Sequence, residues 1–163
     1  MALGLAGLGY QTAIFMDSDV LLPPDVLAAL ASANVVIYEY GAGSGLNTEQ
    51  AIFYAASDVR VQQLLTIART NHGEDSINDS LFPKIEGLTH TTVQHDFMTW
   101  VQNTNLSGIE LRMIIAEVAK RRKWFKDQRY GREIGPVVWS IMGENNHTPL
   151  CQVMLKIEGW VYA

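Results

Sequence analysis

The sequence predicts an α/β fold: a βαβ unit with a short parallel sheet, followed by a mainly helical C-terminal region. Three observations lead there. Two runs with strand character, residues 8–16 with a turn at Gly9 and the β-branched-rich 35–38, lie on either side of a short helical pattern. Strand, helix and strand within about 30 residues imply parallel strands joined by a crossover. Beyond residue 87 the apolar residues recur at helical spacing. The expected organisation is an α/β core over residues 1–75 and a helical extension over 76–163.

Each element has a local reason. A turn at Gly9 leads into the first strand, which ends at Met16. Pro23 and Pro24 open the next helix, because proline suits the first helical turn. Leu27, Ala28, Leu30 and Ala31 give that helix an apolar face, and Asn34 is a natural stop. Residues 35–38 form the second strand, and both strands are read as buried. Gly41, Ala42, Gly43, Ser44 and Gly45 then make a loop at the carboxyl end of the sheet, the edge where open α/β folds bind ligands. Asn47 or Thr48 is positioned to cap a helix over 49–56, and Asp58 to cap one over 59–70. In the latter helix Val61, Leu64, Leu65 and Ala68 form one stripe. Residues 71–87 are rich in Asn, Asp, Gly and Pro and read as a long loop. Helical stretches follow over 92–102 and 107–126, the second opened by a Ser107/Glu110 capping box. The tail, 134–163, combines a helical run with a final strand near 152–157.

Composition narrows the function classes. The chain has 163 residues, 48% of them apolar and 18% charged, as in a globular protein with a real core. Its net charge of -5 argues against a uniformly basic nucleic-acid binder, but not against a local basic patch. One cysteine, Cys151, excludes an internal disulfide and a cysteine-based zinc site, and reads as a buried small hydrophobe. No basic leader and no apolar run near the ~20 residues of a membrane span is present, so the chain is read as cytoplasmic. There is no P-loop and no Gly-x-Ser-x-Gly element. His72, His90, His95 and His147 lack metal-ligand spacing and read as surface or loop residues.

Chemistry concentrates at Asp17-Ser18-Asp19. Alternate residues at a strand end face one side, so both carboxylates can reach one Mg²⁺ or Mn²⁺, hard ions that take oxygen ligands. A solvated turn is the other reading of the same residues. Glu49, at the same edge after the second strand, is a candidate third carboxylate, or else a first-turn glutamate favoured by the helix dipole. Lys120, Arg121, Arg122 and Lys123, extended by Lys126, Arg129 and Arg132, form the strongest basic cluster, with Trp124, Phe125 and Tyr130 interleaved. Such a patch can neutralise phosphates while an aromatic stacks on a base. It also reads as the solvated C-terminus of a long helix.

Two families share an apolar strand ending in Asp-x-Asp. Phe15-Met16-Asp17-Ser18-Asp19 resembles the motif of GT-A glycosyltransferases, which place a nucleotide-binding region ahead of it; only sixteen residues precede Asp17 here. A broader resemblance joins Leu8-Gly9-Tyr10, residues 13–19, the strand 35–38, Asn47-Thr48-Glu49-Gln50 and Ile52-Phe53. With Lys123-Trp124-Phe125-Lys126 and Gly131-Arg132-Glu133-Ile134-Gly135, this order resembles the TOPRIM nuclease region of the overcoming-lysogenization-defect (OLD) family of ATP-dependent endonucleases.

That resemblance implies a partial TOPRIM-like parallel sheet, metal-dependent cleavage of DNA phosphodiesters, Mg²⁺ or Mn²⁺ as cofactor, and a setting such as phage defence. Asp17 and Asp19 match the family's metal-binding Asp-x-Asp, and Glu49 matches a later acidic position. Lys126, or its neighbour Lys123, matches the catalytic lysine. Lys120, Arg121, Arg122 and Arg129 would contact the nucleic acid. The family's first motif is a glutamate upstream, whereas the first sixteen residues contain no Asp or Glu. The expected picture is therefore a C-terminal piece that works with an ATPase domain or subunit, or as a homo-oligomer. A catalytically inactive remnant that binds DNA or a partner is the alternative.

Overall fold

The structure, a computed structural model, describes residues 1–41, 44–89, 91–94 and 96–162. His90, His95 and part of the glycine loop, Ala42 and Gly43, lie outside the described residues. The elements run α1 (Ala2–Gly7), β1 (Ala13–Met16), α2 (Pro24–Ser32), β2 (Val36–Glu39), α3 (Thr48–Ala55), α4 (Asp58–His72), α5 (Glu74–Leu81), α6 (Phe97–Asn103), α7 (Gly108–Arg122), α8 (Gly131–Glu144) and α9 (Pro149–Val161). The fold is mixed α/β and mostly helical. Its chain divides into two compact units, one formed by residues 1–48 with 149–163 and the other by residues 49–148.

The first unit holds the sheet. β1 and β2 pair in parallel, Ala13 opposite Val36 through to Met16 opposite Glu39, with α2 as the connection. Pro24 opens α2 as the sequence predicts. Asn34 ends it by taking a positive φ of 53°, which asparagine tolerates better than most residues, while the Val35 amide donates back to the Leu30 carbonyl at 3.0 Å. The strands are not buried as the sequence predicts. Every strand residue is at least part-exposed, and Phe15 and Val36 are 46% and 39% exposed. A two-stranded sheet leaves each strand an open edge, so apolar character alone does not enclose it. α1, with no predicted counterpart, precedes β1 and buries no residue of its own.

α9 completes this unit by packing on β2. The predicted final strand over 152–157 is instead part of this helix. Its apolar residues satisfy a helical period as well as an alternating one: Leu150 and Val153 share a face and are both buried.

The second unit is helical around α4. Val61, Leu64, Leu65 and Ala68 are fully buried, as their stripe predicts, and α4 packs against α5, α6 and α8. Phe53, Phe97, Trp100, Leu111, Ile115 and Ile141 fill the same core. Asp58 does not cap α4. Ser57 occupies the cap position without a side-chain bond to the helix backbone, and Asp58 pairs with Arg112 on α7.

The predicted loop over 71–87 contains α5 and a 3-10 turn, Phe82–Lys84. Its Asp, Ser and Asn residues are weak helix formers, but Ile77 and Leu81 lie one turn apart and are buried. Tertiary burial overrides the local preference. The stretch 92–102 resolves into a 3-10 turn and then α6, which Asp96 caps by accepting from the Thr99 amide at 2.8 Å. The Ser107/Glu110 capping box at α7 is present in both directions. No helix among the described residues is long and apolar enough to cross a membrane.

Candidate functional site

β1 ends at Met16, so Asp17-Ser18-Asp19 lies in the turn just beyond the strand, with the Val20 amide donating to the Asp17 carbonyl at 3.3 Å. The strand-face argument for the two carboxylates therefore does not apply: Asp17 is half-buried and Asp19 is exposed. Ser18 is buried between them. Its amide and hydroxyl both donate to the Leu46 carbonyl at 2.9 Å, and its hydroxyl lies 2.9 Å from that of Ser44. Thr48 donates to Asp17 Oδ1 at 2.6 Å, and the Tyr40 hydroxyl donates to Thr48 at 3.2 Å. The segment after β2 thus holds the turn after β1, both at the carboxyl end of the parallel pair.

At the same end, α9 and β2 form a cleft of about 210 Å³ bordered by Tyr38, Glu39, Gly41, Gln152 and Lys156.

The second unit begins with Glu49. Its side chain is only 3% exposed, and Oε1 lies 3.4 Å from Lys126 Nζ. Oε2 is buried and has no hydrogen-bond partner among the described residues. A buried carboxylate oxygen without a donor is costly. Glu49 and Lys126, both nominated through the same family resemblance, lie side by side.

The approach is set by aromatic packing. Glu49 and Phe53 lie four apart on α3, so they share a face. Phe125, next to Lys126, packs on Phe53 with ring centroids 6.3 Å apart, and Trp124 is buried. Buried as it is, Trp124 is not available to stack on a base; it anchors the turn that carries Lys126. Lys123 closes α7 in the left-handed region, φ 58° and ψ 40°. The chain direction changes there, and Lys126 is the lysine at the Glu49 carboxylate.

The basic cluster is less uniform than its sequence. Arg121 pairs with Glu117 at 3.4 Å and Arg129 with Asp127 at 2.5 Å. Hydrogen bonds from Arg129 hold the Asp127 carboxyl down at about 2. Lys120 and Arg122 belong to the end of α7. Arg121 and Arg122 share a cleft of about 250 Å³ with Lys84, which the sequence reading does not single out because it lies in the segment taken as a loop. Thr48, Tyr40, Ser18 and Ser44 are likewise missed: nothing local ties Thr48 to an aspartate 31 residues earlier.

Among the described residues no three His, Cys, Asp or Glu side chains gather as a metal-holding group. Asp17 in the first unit, bonded by Thr48, and Glu49 in the second, beside Lys126, are each single carboxylates. Compared with known proteins, the chain matches no protein-family model, no curated protein and no solved structure.

Proposed function

We propose that this chain is a metal-dependent DNA endonuclease region of the TOPRIM type, resembling the OLD family, with Mg²⁺ or Mn²⁺ as its cofactor. The observation that carries this reading is Glu49: a buried carboxylate with one oxygen unpartnered and the other beside Lys126. Asp17 and Asp19, in the first unit, are the other carboxylates that the resemblance nominates. A divalent cation bound there would supply Lewis acidity and an activated water. Lys126, about half exposed, would reach an anionic phosphate oxygen and offset charge that builds there. Arg121, Arg122, Arg129 and Lys120 would take backbone phosphates, making binding salt-dependent.

Purified protein with Mn²⁺ on supercoiled plasmid tests this, beside the Asp17→Ala/Asp19→Ala and Glu49→Gln variants. The expected result is nicking by wild type and loss in both variants. Equal nicking by all three refutes the assignment.

One observation favours a second function, that of a non-catalytic DNA- or partner-binding remnant. Lys126 already neutralises Glu49, so the carboxylate has a cation without any metal. A remnant shows no Mn²⁺-dependent rise in melting temperature, whereas a working site is stabilised by the ion it binds.

A further inference from the structure

We propose that the cleft between β2 and α9 binds the zwitterion of a small apolar amino acid, its ammonium to Glu39 and its carboxylate to Lys156. The cleft lies wholly within the first unit, away from the Glu49–Lys126 pair of the second. Ile37 and Glu39 are alternate residues of β2, so they face the same side of the sheet. α9 packs on β2, and its Gln152 and Lys156 lie four apart and share a helix face. All four border the same space of about 210 Å³. Its two walls therefore carry opposite charges, an anion on the strand and a cation on the helix.

Those charges do not neutralise each other. Among the described residues, neither the Glu39 nor the Lys156 side chain makes an ion pair or a hydrogen bond, and the Tyr38 and Gln152 side chains at the cleft make none either. Opposite charges on the walls of a concave site focus the field across it, which orients a molecule that carries both signs. A simple cation or anion meets one attracting wall and one repelling wall, whereas a zwitterion meets two attracting walls. Size and polarity narrow the class. The volume equals that of about seven waters, room for a molecule of about ten non-hydrogen atoms or fewer. Buried Val153 and half-buried Ile37 give an apolar wall for an aliphatic side chain. The Tyr38 hydroxyl and the Gln152 amide can each donate to or accept from the charged ends.

The test is a chemical-shift titration of the ¹⁵N-labelled full chain with three ligands, without metal or DNA, so its outcome does not depend on the nuclease reading. L-leucine carries both charges, N-acetyl-L-leucine lacks the ammonium, and L-leucinamide lacks the carboxylate. L-leucine should shift the Gly41, Gln152 and Lys156 amides in a saturable way. The other two should bind about 10-fold more weakly, because each loses one charge-assisted bond. Glu39→Gln should abolish the preference for L-leucine over N-acetyl-L-leucine. Lys156→Met should abolish the preference for L-leucine over L-leucinamide. Each variant is judged by the ratio of two ligands on the same protein, so a general loss of stability cannot imitate the result.

Absence of a saturable shift with L-leucine at tens of millimolar overturns the site. Equal affinity of wild type for all three ligands overturns it too, since the opposed charges would then select nothing. Preferences that survive both Glu39→Gln and Lys156→Met place the binding elsewhere and overturn the assignment to this cleft.

Discussion

Lys126→Met exposes the energetics of the Glu49 pair most directly. The substitution keeps the aliphatic stem and removes the ammonium 3.4 Å from Oε1. What remains is a carboxylate 3% exposed whose Oε2 has no hydrogen-bond partner among the described residues and whose Oε1 has lost its ammonium. Removing one member of a fully buried pair costs about 3–5 kcal/mol. Here the lysine is 53% exposed, so water already screens the interaction and the expected loss falls to about 2 kcal/mol. Glu49→Gln, which leaves an amide able to donate, should cost about 1 kcal/mol.

The double variant should cost little more than Glu49→Gln alone, giving a coupling energy of about 1–2 kcal/mol. Urea unfolding followed by tryptophan fluorescence is a suitable assay, since Trp100 and Trp124 are both buried in the second unit. With a slope of about 1–3 kcal/mol per molar urea, the midpoint of Lys126→Met should fall by about 1 M. If the site takes a cation, Mn²⁺ should restore part of that loss, because the ion replaces the missing positive charge. A midpoint unchanged for Lys126→Met, or a coupling energy indistinguishable from zero, refutes the reasoning: Lys126 would then be a solvated lysine that happens to lie near Glu49.

Two further outcomes follow from the geometry. Lys123→Gly should stabilise the protein by about 0.5–1 kcal/mol in the same urea assay, because glycine adopts φ 58° without the Cβ clash that lysine carries there; destabilisation would show that the Lys123 side chain has a structural task. Glu144 accepts from Ser57 at 2.8 Å and from Arg60 at 2.6 Å, and these bonds hold its carboxyl below the ordinary value. A depressed folded-state value means the stabilisation is present above the unfolded pKa, near 4.5, and is lost as pH falls through the lower folded value. The melting-temperature gap between wild type and Glu144→Gln should therefore be open at pH 7 and narrow progressively as pH falls below 4.5, and a gap that does not depend on pH would remove the linkage.

Residue patterns that act within one turn or one strand were legible. The α4 stripe, the proline start of α2, the stop at Asn34 and the Ser107 capping box depend on neighbours no more than a few residues away, and all are found. Glu49 was nominated from its place after the second strand and Lys126 from the family resemblance; that the two meet is visible only in the structure. Where reading failed, a distant partner decided. α5 forms because Ile77 and Leu81 find a core that the polar residues between them do not announce. Residues 152–157 are helical because α9 packs on β2, and a six-residue apolar pattern fits either period until its neighbour is known.

The sequence by itself determined the parallel βαβ unit and most helix positions, and nominated the acidic and basic residues of interest. These follow from periodicity, capping and side-chain type, which are local. Only the tertiary structure decided that Trp124 is an anchor rather than a stacking surface, that Lys126 rather than Lys123 meets Glu49, and that Thr48 holds Asp17. Those outcomes depend on burial and on hydrogen bonds between segments far apart in the chain, whose pairing is fixed only when the packed elements bring them within about 3 Å.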